Sequence, residues 1–375
     1  MAEITRRLVA RVGVDIAKKV IYLHAVDGSG QRVYARSVKR DQFLAWCQQQ
    51  LAPGCVVAME ACSGAHHWAR RLMAMGFVAK LIAPHLVTPY RMEGKGGKND
   101  ATDAAAICEA ASGPKMRFVP VKTVQQQGVM ALHCIREGFK AERTAWVNRI
   151  RGVLVEFGLV LGKSPQVLRE ALPDVLEDAS NEIDGMARLA LQQACEHWQG
   201  LDERMKWCDQ QISAHVRSSD VARRAWRITG IGELGASAMT ASVADFRQFK
   251  TARQFGAWLG LVPRQNSTGG KASLGRITKR GDDYLRTLLI QGAKSAVMSV
   301  DKRDDPTSRW LKALKERVGW QKACVAMANK NARILWAVMT REPGFDAQHV
   351  SAKPLAKQKQ AKPAAVQAPP QTVAA

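Results

Sequence analysis

Six consecutive residues, Cys55-Val56-Val57-Ala58-Met59-Glu60, run almost without a polar break and then stop on a carboxylate. A strand with one face in water alternates apolar and polar; a strand that is apolar throughout must be covered on both faces. That requires a sheet with packing layers on each side, and the neighbouring sequence supplies them. Upstream, roughly residues 8–37 contain three strand-like stretches. Val12, Val14 and Ile16 alternate with Gly13 and Asp15, Val20-Ile21-Tyr22-Leu23-His24-Ala25-Val26 follows, and Asp27-Gly28-Ser29-Gly30 turns the chain into Arg32-Val33-Tyr34-Ala35. Helices are expected from about Asp41 to Leu51 and Ala65 to Met75, with a further strand, Val78-Ala79-Lys80-Leu81-Ile82-Ala83, stopped by Pro84. The order βββαβαβα predicts a mixed sheet flanked by helices.

From about Thr123 the rhythm becomes helical. Val147, Ile150, Leu154, Phe157 and Leu161 recur at helical spacing, as do Ala187, Leu191, Ala194, Trp198, Leu201, Met205, Cys208 and Ile212. Gly162, Pro165 and Pro173 should break the helices between them. The two long helices can fold back on each other or pair with another subunit as a coiled coil. Beyond Trp226, Thr229-Gly230-Ile231-Gly232-Glu233-Leu234-Gly235-Ala236 resembles the hairpin of a helix-hairpin-helix element, whose backbone N–H groups approach phosphate closely. The stretches Phe246 to Phe249 and Ala252 to Gly260 would form its short helices. The tail beyond Gly344, rich in Ala, Pro, Gln and Lys, is expected to be disordered.

Two carboxylates stand where apolar strands should be. Asp15 interrupts the first strand and Glu60 ends the fourth, and burying either is costly unless it is paired or bound to a cation. A half-exposed strand could instead turn Asp15 to solvent. A second acidic pair, Asp100 and Asp103, lies where the loop Gly94-Lys95-Gly96-Gly97-Lys98 gives way to an Ala-rich run. Three residues apart in a first helical turn, the two share a face. That suits a metal ion, and equally suits a helix N-terminus that favours acids.

The chain carries 56 Lys and Arg against 33 Asp and Glu, a net charge of +23 over 375 residues, which points to a polyanionic partner. Nucleic acid leads; an anionic membrane surface competes. No apolar run approaches the roughly 20 residues that span a bilayer, and the first residues do not read as a signal peptide, so a soluble intracellular protein is expected. Eight cysteines without a CxxC pair or a His at zinc spacing read as core residues in a reducing compartment. His66-His67 reads as structural.

The segment Pro263-Arg264-Gln265-Asn266-Ser267-Thr268-Gly269-Gly270-Lys271, followed by Gly275-Arg276-Ile277-Thr278-Lys279-Arg280-Gly281, holds hydroxyls in a Gly-rich loop. Between Arg264 and Arg286 six basic residues outnumber two acids. Ser267 is an ordinary turn residue on one reading. On the other it is a nucleophile toward phosphate, which needs a mobile loop, surrounding cations, and a metal or base to assist deprotonation. Arg264, Lys271, Arg276, Lys279 and Arg280 would clamp phosphates.

Asp15, Glu60 and the Asp100/Asp103 pair within KNDATDAAAI resemble the DEDD-type insertion-sequence transposases, whose N-terminal domain is similar to the Holliday-junction resolvase RuvC. TGIGELGA and FGAWLGLVPRQNSTGGKASLGRITKRGDDYLRTLLIQGA resemble that family's separate transposase domain, which also occurs in the DNA invertase Piv. The resemblance spans about residues 8–340. It implies an α/β plus all-α protein: a RuvC-like (RNase H-like) domain at 1–122, a helical linker and oligomerisation segment at 123–225, a mainly helical transposase domain at 226–344, and a tail at 345–375. It implies that Asp15, Glu60, Asp100 and Asp103 bind Mg²⁺ or Mn²⁺, that Ser267 is the nucleophile with Thr268 in the neighbouring hydroxyl position, and that DNA is recombined through a serine–phosphate link. Further implications are a homo-oligomer, dimer or tetramer, in which one subunit's acids meet another's serine, and, for some members, a structured guide (bridge) RNA pairing with element ends and target DNA. Such a protein works in the bacterial cytoplasm on the nucleoid. Two competitors remain: a RuvC-like metal-dependent nuclease in which Ser267 is idle, and a nucleic-acid binder without catalysis.

Overall fold

The computed structural model describes residues 9–91, 100–269, 271–342, 344–346 and 348. The Gly/Lys loop at 94–98 and nearly all of the tail therefore lie outside the described residues. The N-terminal part contains β1 (Arg11–Ile16), β2 (Val20–Val26), β3 (Arg32–Lys39), α1 (Phe43–Gln50), β4 (Val56–Glu60), α2 (Ala65–Ala74), β5 (Val78–Ile82), α3 (Pro84–Val87), α4 (Asp100–Ala110) and β6 (Phe118–Val119). Its sheet has the order β3-β2-β1-β4-β5-β6. β1 pairs antiparallel with β2 and parallel with β4, β4 is parallel to β5, and β6 returns antiparallel. The mixed sheet is as the sequence pattern predicts. The two-residue β6 is too short to leave a periodic signal.

β4 is the buried centre, and its side chains divide between two cores. Val57 and Met59 pack with Phe43, Leu51, Trp68 and Leu72 under α1 and α2, while Ala58 packs with Ala106, Ile107 and Ala110 of α4. This is why the strand needs no polar face. His66 on α2 is structural: its Nδ1 accepts the Lys122 backbone N–H at 3.1 Å, and burial, then Lys122 and Arg70, lower its pKa to about 4.

Three helices follow: α5 (Val124–Glu156), α6 (Pro165–Glu177) and α7 (Gly185–Ser218). Thr123 and Gln126 form a reciprocal capping box that starts α5. Of the two arrangements open to the long helices, the chain adopts the fold-back. Arg136 pairs with Asp209, and Arg143 with Asp202, so positions advance along α5 as they retreat along α7, an antiparallel alignment. Leu154, Leu168, Leu172, Leu191 and Trp198 form the core between the three helices. Pro165 opens α6 behind the Ser164 cap, but Pro173 lies inside that helix and does not end it. Leu168 and Leu172 are fully buried before the proline and Leu176 packs against the same core after it, and this packing holds the helix through the missing hydrogen bond.

The C-terminal part comprises α8 (Asp220–Trp226), α9 (Glu233–Ser242), α10 (Ala252–Trp258), a hairpin of β7 (Pro263–Thr268) and β8 (Lys271–Ile277), α11 (Asp283–Met298), α12 (Pro306–Val318) and α13 (Trp320–Thr340). Its helices share one core, including Met239, Phe255, Leu289, Met327 and Leu335. The glycine-rich turn at 229–232 joins α8 to α9, so its flanking helices are these and not the stretches at 246–260. Gly230, at φ +84°, lies against α11 so closely that a Cβ on Gly292 would stand 2.0 Å from its carbonyl. Asn331 of α13 also donates to Thr229 O at 3.0 Å. Interhelical packing therefore explains this glycine.

Candidate active site

β1 and β4 run side by side in parallel, with Gly13 opposite Ala58 and Val14 opposite Met59. One residue further, at the carboxyl ends of both strands, come Asp15 and Glu60. Their shared face follows from the period of two. A Cβ on Gly13 would lie 2.1 Å from the Ala104 carbonyl and 2.5 Å from the Cys108 nitrogen, so α4 crosses directly over that position. Ala58 packs on α4 as well. Asp15 and Glu60, two residues beyond these, are on the α4 side of the sheet. Gly13 is what allows the helix so close.

α4 contributes Asp103 from its first turn, only 6% exposed and adjacent to the Ala104 that covers Gly13. Asp100, which opens the same turn, is exposed. Arg91, the first residue after a 3-10 turn at Thr88–Tyr90, joins two of these acids. Its Nη2 donates to Glu60 Oε1 at 2.7 Å and its Nε to Asp103 Oδ1 at 2.7 Å. The Cys62 thiol is pushed up by burial and then by the nearby carboxylates of Glu60 and, more weakly, Asp15. Asp15, Glu60 and Asp103 thus lie toward the carboxyl ends of the two central strands. With Asp103 buried and Asp15 and Glu60 half-buried they call for a counter-charge, but nothing in the spacing singles out Arg91.

Oxygen donors from two strand ends and a helix start suit a hard divalent cation in kind. The guanidinium already spans two of them as a stand-in cation. Among the described residues, no group of three or more His, Cys, Asp or Glu side chains lies close enough together to hold a metal ion. The donors therefore fit in chemistry, while in this state they are not drawn together around a metal-sized site, and Arg91 spans Glu60 and Asp103.

Ser267 is placed differently from expectation. It lies on β7, opposite Ala272, two residues before a tight turn at Gly269 (φ +55°), and not in an irregular loop. Beyond Pro263 β7 is polar, and every residue of it is exposed, so no apolar alternation announces the first strand of the hairpin. Gln265, on the same strand face, donates from Nε2 to Ser267 Oγ at 2.8 Å. Thr268, opposite Lys271, points to the other face. Arg264 and Arg276 are exposed on the hairpin, and Lys279 and Arg280 are exposed at its base. That base is fixed to the end of α10: Lys279 donates its backbone N–H to Gly260 O at 3.1 Å, and a Cβ on Gly281 would lie 1.9 Å from Trp258 O. Lys279 itself adopts φ 54°, a left-handed conformation uncommon outside glycine. Among the described residues, no hydrogen bond or ion pair joins Ser267 to Asp15, Glu60, Asp100 or Asp103.

Comparison with known proteins matches both halves. Residues 12–158 match the IS110-type DEDD family described as transposase, and residues 222–308 match the transposase IS116/IS110/IS902 family. The chain is 46% identical over 334 residues to a probable family 20 transposase of Pseudomonas aeruginosa, covering 89% of this chain and 97% of that one. It is 45% identical over 336 residues to the transposase for insertion sequence element IS1111A of Coxiella burnetii, covering 89% and 90%. The transposase for insertion sequence element IS1328 of Yersinia enterocolitica is 35% identical over 340 residues, covering 90% and 98%.

Proposed function

The chain belongs to the IS116/IS110/IS902 family of transposases, and on that premise we propose that it cuts and rejoins insertion-sequence DNA through a serine–phosphate intermediate. Asp15, Glu60, Asp100 and Asp103 hold Mg²⁺ or Mn²⁺, and Ser267 is the nucleophile. What supports the reading is the gathering of Asp15, Glu60 and Asp103 at the ends of β1 and β4 and the start of α4. The bound ion would stabilise charge developing on the scissile phosphate.

The chemistry of the chain's own residues is exchange between esters. Ser267 Oγ attacks phosphorus and loses its proton; the new O–P bond forms as a P–O bond to deoxyribose breaks, and the departing oxygen takes up a proton. Attack by the hydroxyl of another strand end reverses the sequence and restores Ser267. One phosphodiester replaces another at each step, so no outside energy source is needed. Gln265 donates to Oγ, so it orients the hydroxyl but cannot remove its proton. Arg264, Lys271, Arg276, Lys279 and Arg280 neutralise DNA phosphates near the hairpin. The exposed hairpin projects toward the acids of another protomer in a dimer or tetramer. A structured guide RNA pairing with element ends and target is a second polyanionic partner for a chain of +23 charge. The reaction takes place in the bacterial cytoplasm, on the nucleoid.

One observation favours a second reading, metal-dependent cleavage by water: Ser267 has Gln265 as its described side-chain partner and none of the acids. Ser267→Ala separates the two. Loss of joined strands and of covalent protein–DNA product by about a thousandfold or more supports serine chemistry. Undiminished cleavage supports the nuclease.

A further inference from the structure

We propose that Arg91 is a displaceable internal counter-ion, so that the carboxylate cluster alternates between a closed state spanned by this guanidinium and an open state holding a divalent cation. The inference rests on the reading of these carboxylates as metal holders. Glu60 and Asp103 come from different elements, and their side chains are only 15% and 8% exposed. Two carboxylates so poorly hydrated repel each other and require a compensating charge. One edge of the Arg91 guanidinium supplies it, with Nη2 on Glu60 Oε1 and Nε on Asp103 Oδ1, both at 2.7 Å.

Those same two carboxylates are what a divalent ion would need. Lone pairs remain on them, but an ion held by both at the roughly 2.0–2.1 Å that magnesium requires would stand against the positive guanidinium that bridges them. Occupation by one cation therefore opposes occupation by the other. The Arg91 main chain is anchored, since its N–H donates to Thr88 O at 3.1 Å, while its side chain is more exposed than either acid it holds. Release thus needs only side-chain rotation. The closed state keeps the acids assembled without metal and reduces metal affinity by the fraction of molecules that are closed.

Mn²⁺ binding to the full-length protein, followed by the electron paramagnetic resonance signal of free Mn²⁺, tests this in wild type, Arg91→Gln, Arg91→Lys and Asp103→Asn. If about nine molecules in ten are closed, Arg91→Gln tightens binding about tenfold. Arg91→Lys discriminates displacement from simple loss of charge. It keeps the charge but cannot reproduce the two-pronged fork, so it must also bind Mn²⁺ more tightly than wild type. In EDTA both variants should melt below wild type, because the acids lose their tie. Mn²⁺ binding in wild type that Asp103→Asn abolishes but that Arg91→Gln and Arg91→Lys leave unchanged or weaken overturns the counter-ion proposal alone. Binding that Asp103→Asn leaves intact, or that is absent from every form, overturns the metal-holding reading and the proposal with it.

Discussion

His133 is 1% exposed, and both its ring nitrogens are engaged, Nε2 with Ser237 Oγ at 2.9 Å and Nδ1 with the Tyr284 hydroxyl at 2.8 Å. This one side chain joins α5 to α9 and α11. Burial, reinforced by Arg136, lowers its pKa to about 4. The unfolded state therefore binds the proton more readily, so the stabilisation is present above pH 6.5 and is lost as pH falls toward 4. From pH 7 to pH 5 the loss is about 2 kcal/mol from this residue alone. His66 contributes with the same sign. Thermal melts should fall steadily over that interval, and His133→Gln should flatten the dependence while lowering stability at pH 7; an unchanged slope would contradict the assignment. Nothing in the helical run around His133 distinguishes it from a surface histidine, because its partners lie more than 100 residues away. Asp15 and Glu60 were legible for the opposite reason. A carboxylate in or ending an apolar strand has few physical explanations: it faces water, or it is paired or bound to a cation. Arg91 carries no such mark, since one arginine among many becomes special only by position.

At the scale of elements, the antiparallel pair α5 and α7 contrasts two kinds of contact. Trp198 is fully buried between the helices, with the Arg169 guanidinium 4.8 Å from its ring centroid. Asp202 pairs with Arg143 and Arg169 nearer the surface. Trp198→Ala should cost about 3–5 kcal/mol, and Asp202→Asn about 1 kcal/mol or less. Urea midpoints of the full-length variants check this ranking, and comparable losses would show that the ion pairs matter more than the core. Both helices were legible in their apolar spacing, because each buries a single stripe. The passage of α6 through Pro173 was not legible, since the flanking leucines override a local rule. Nor was the β7–β8 hairpin, whose first strand is exposed on both faces.

For the molecule as a whole, the excess charge is the feature that composition states most directly. If the exposed hairpin and its base bind DNA, Arg276→Ala combined with Arg280→Ala should weaken binding similarly for all sequences. It should also reduce the slope of log affinity against log salt by about 2. An unchanged slope would place the DNA elsewhere. The way helices and the strands of the N-terminal sheet are distributed along the chain could be read from periodicity. How Ser267 would meet the carboxylates, as the proposed reaction requires, could not, because no local pattern encodes an assembly. The most direct test of their joint action is to incubate the full-length protein with Mg²⁺ and element-end DNA, denature it, and map any covalently attached nucleotide by peptide mass spectrometry. The predicted result is an adduct on the peptide containing Ser267 that disappears in Glu60→Gln and in Asp15→Asn. An adduct on another residue, an adduct that survives both substitutions, or strand joining with no adduct at all would contradict it.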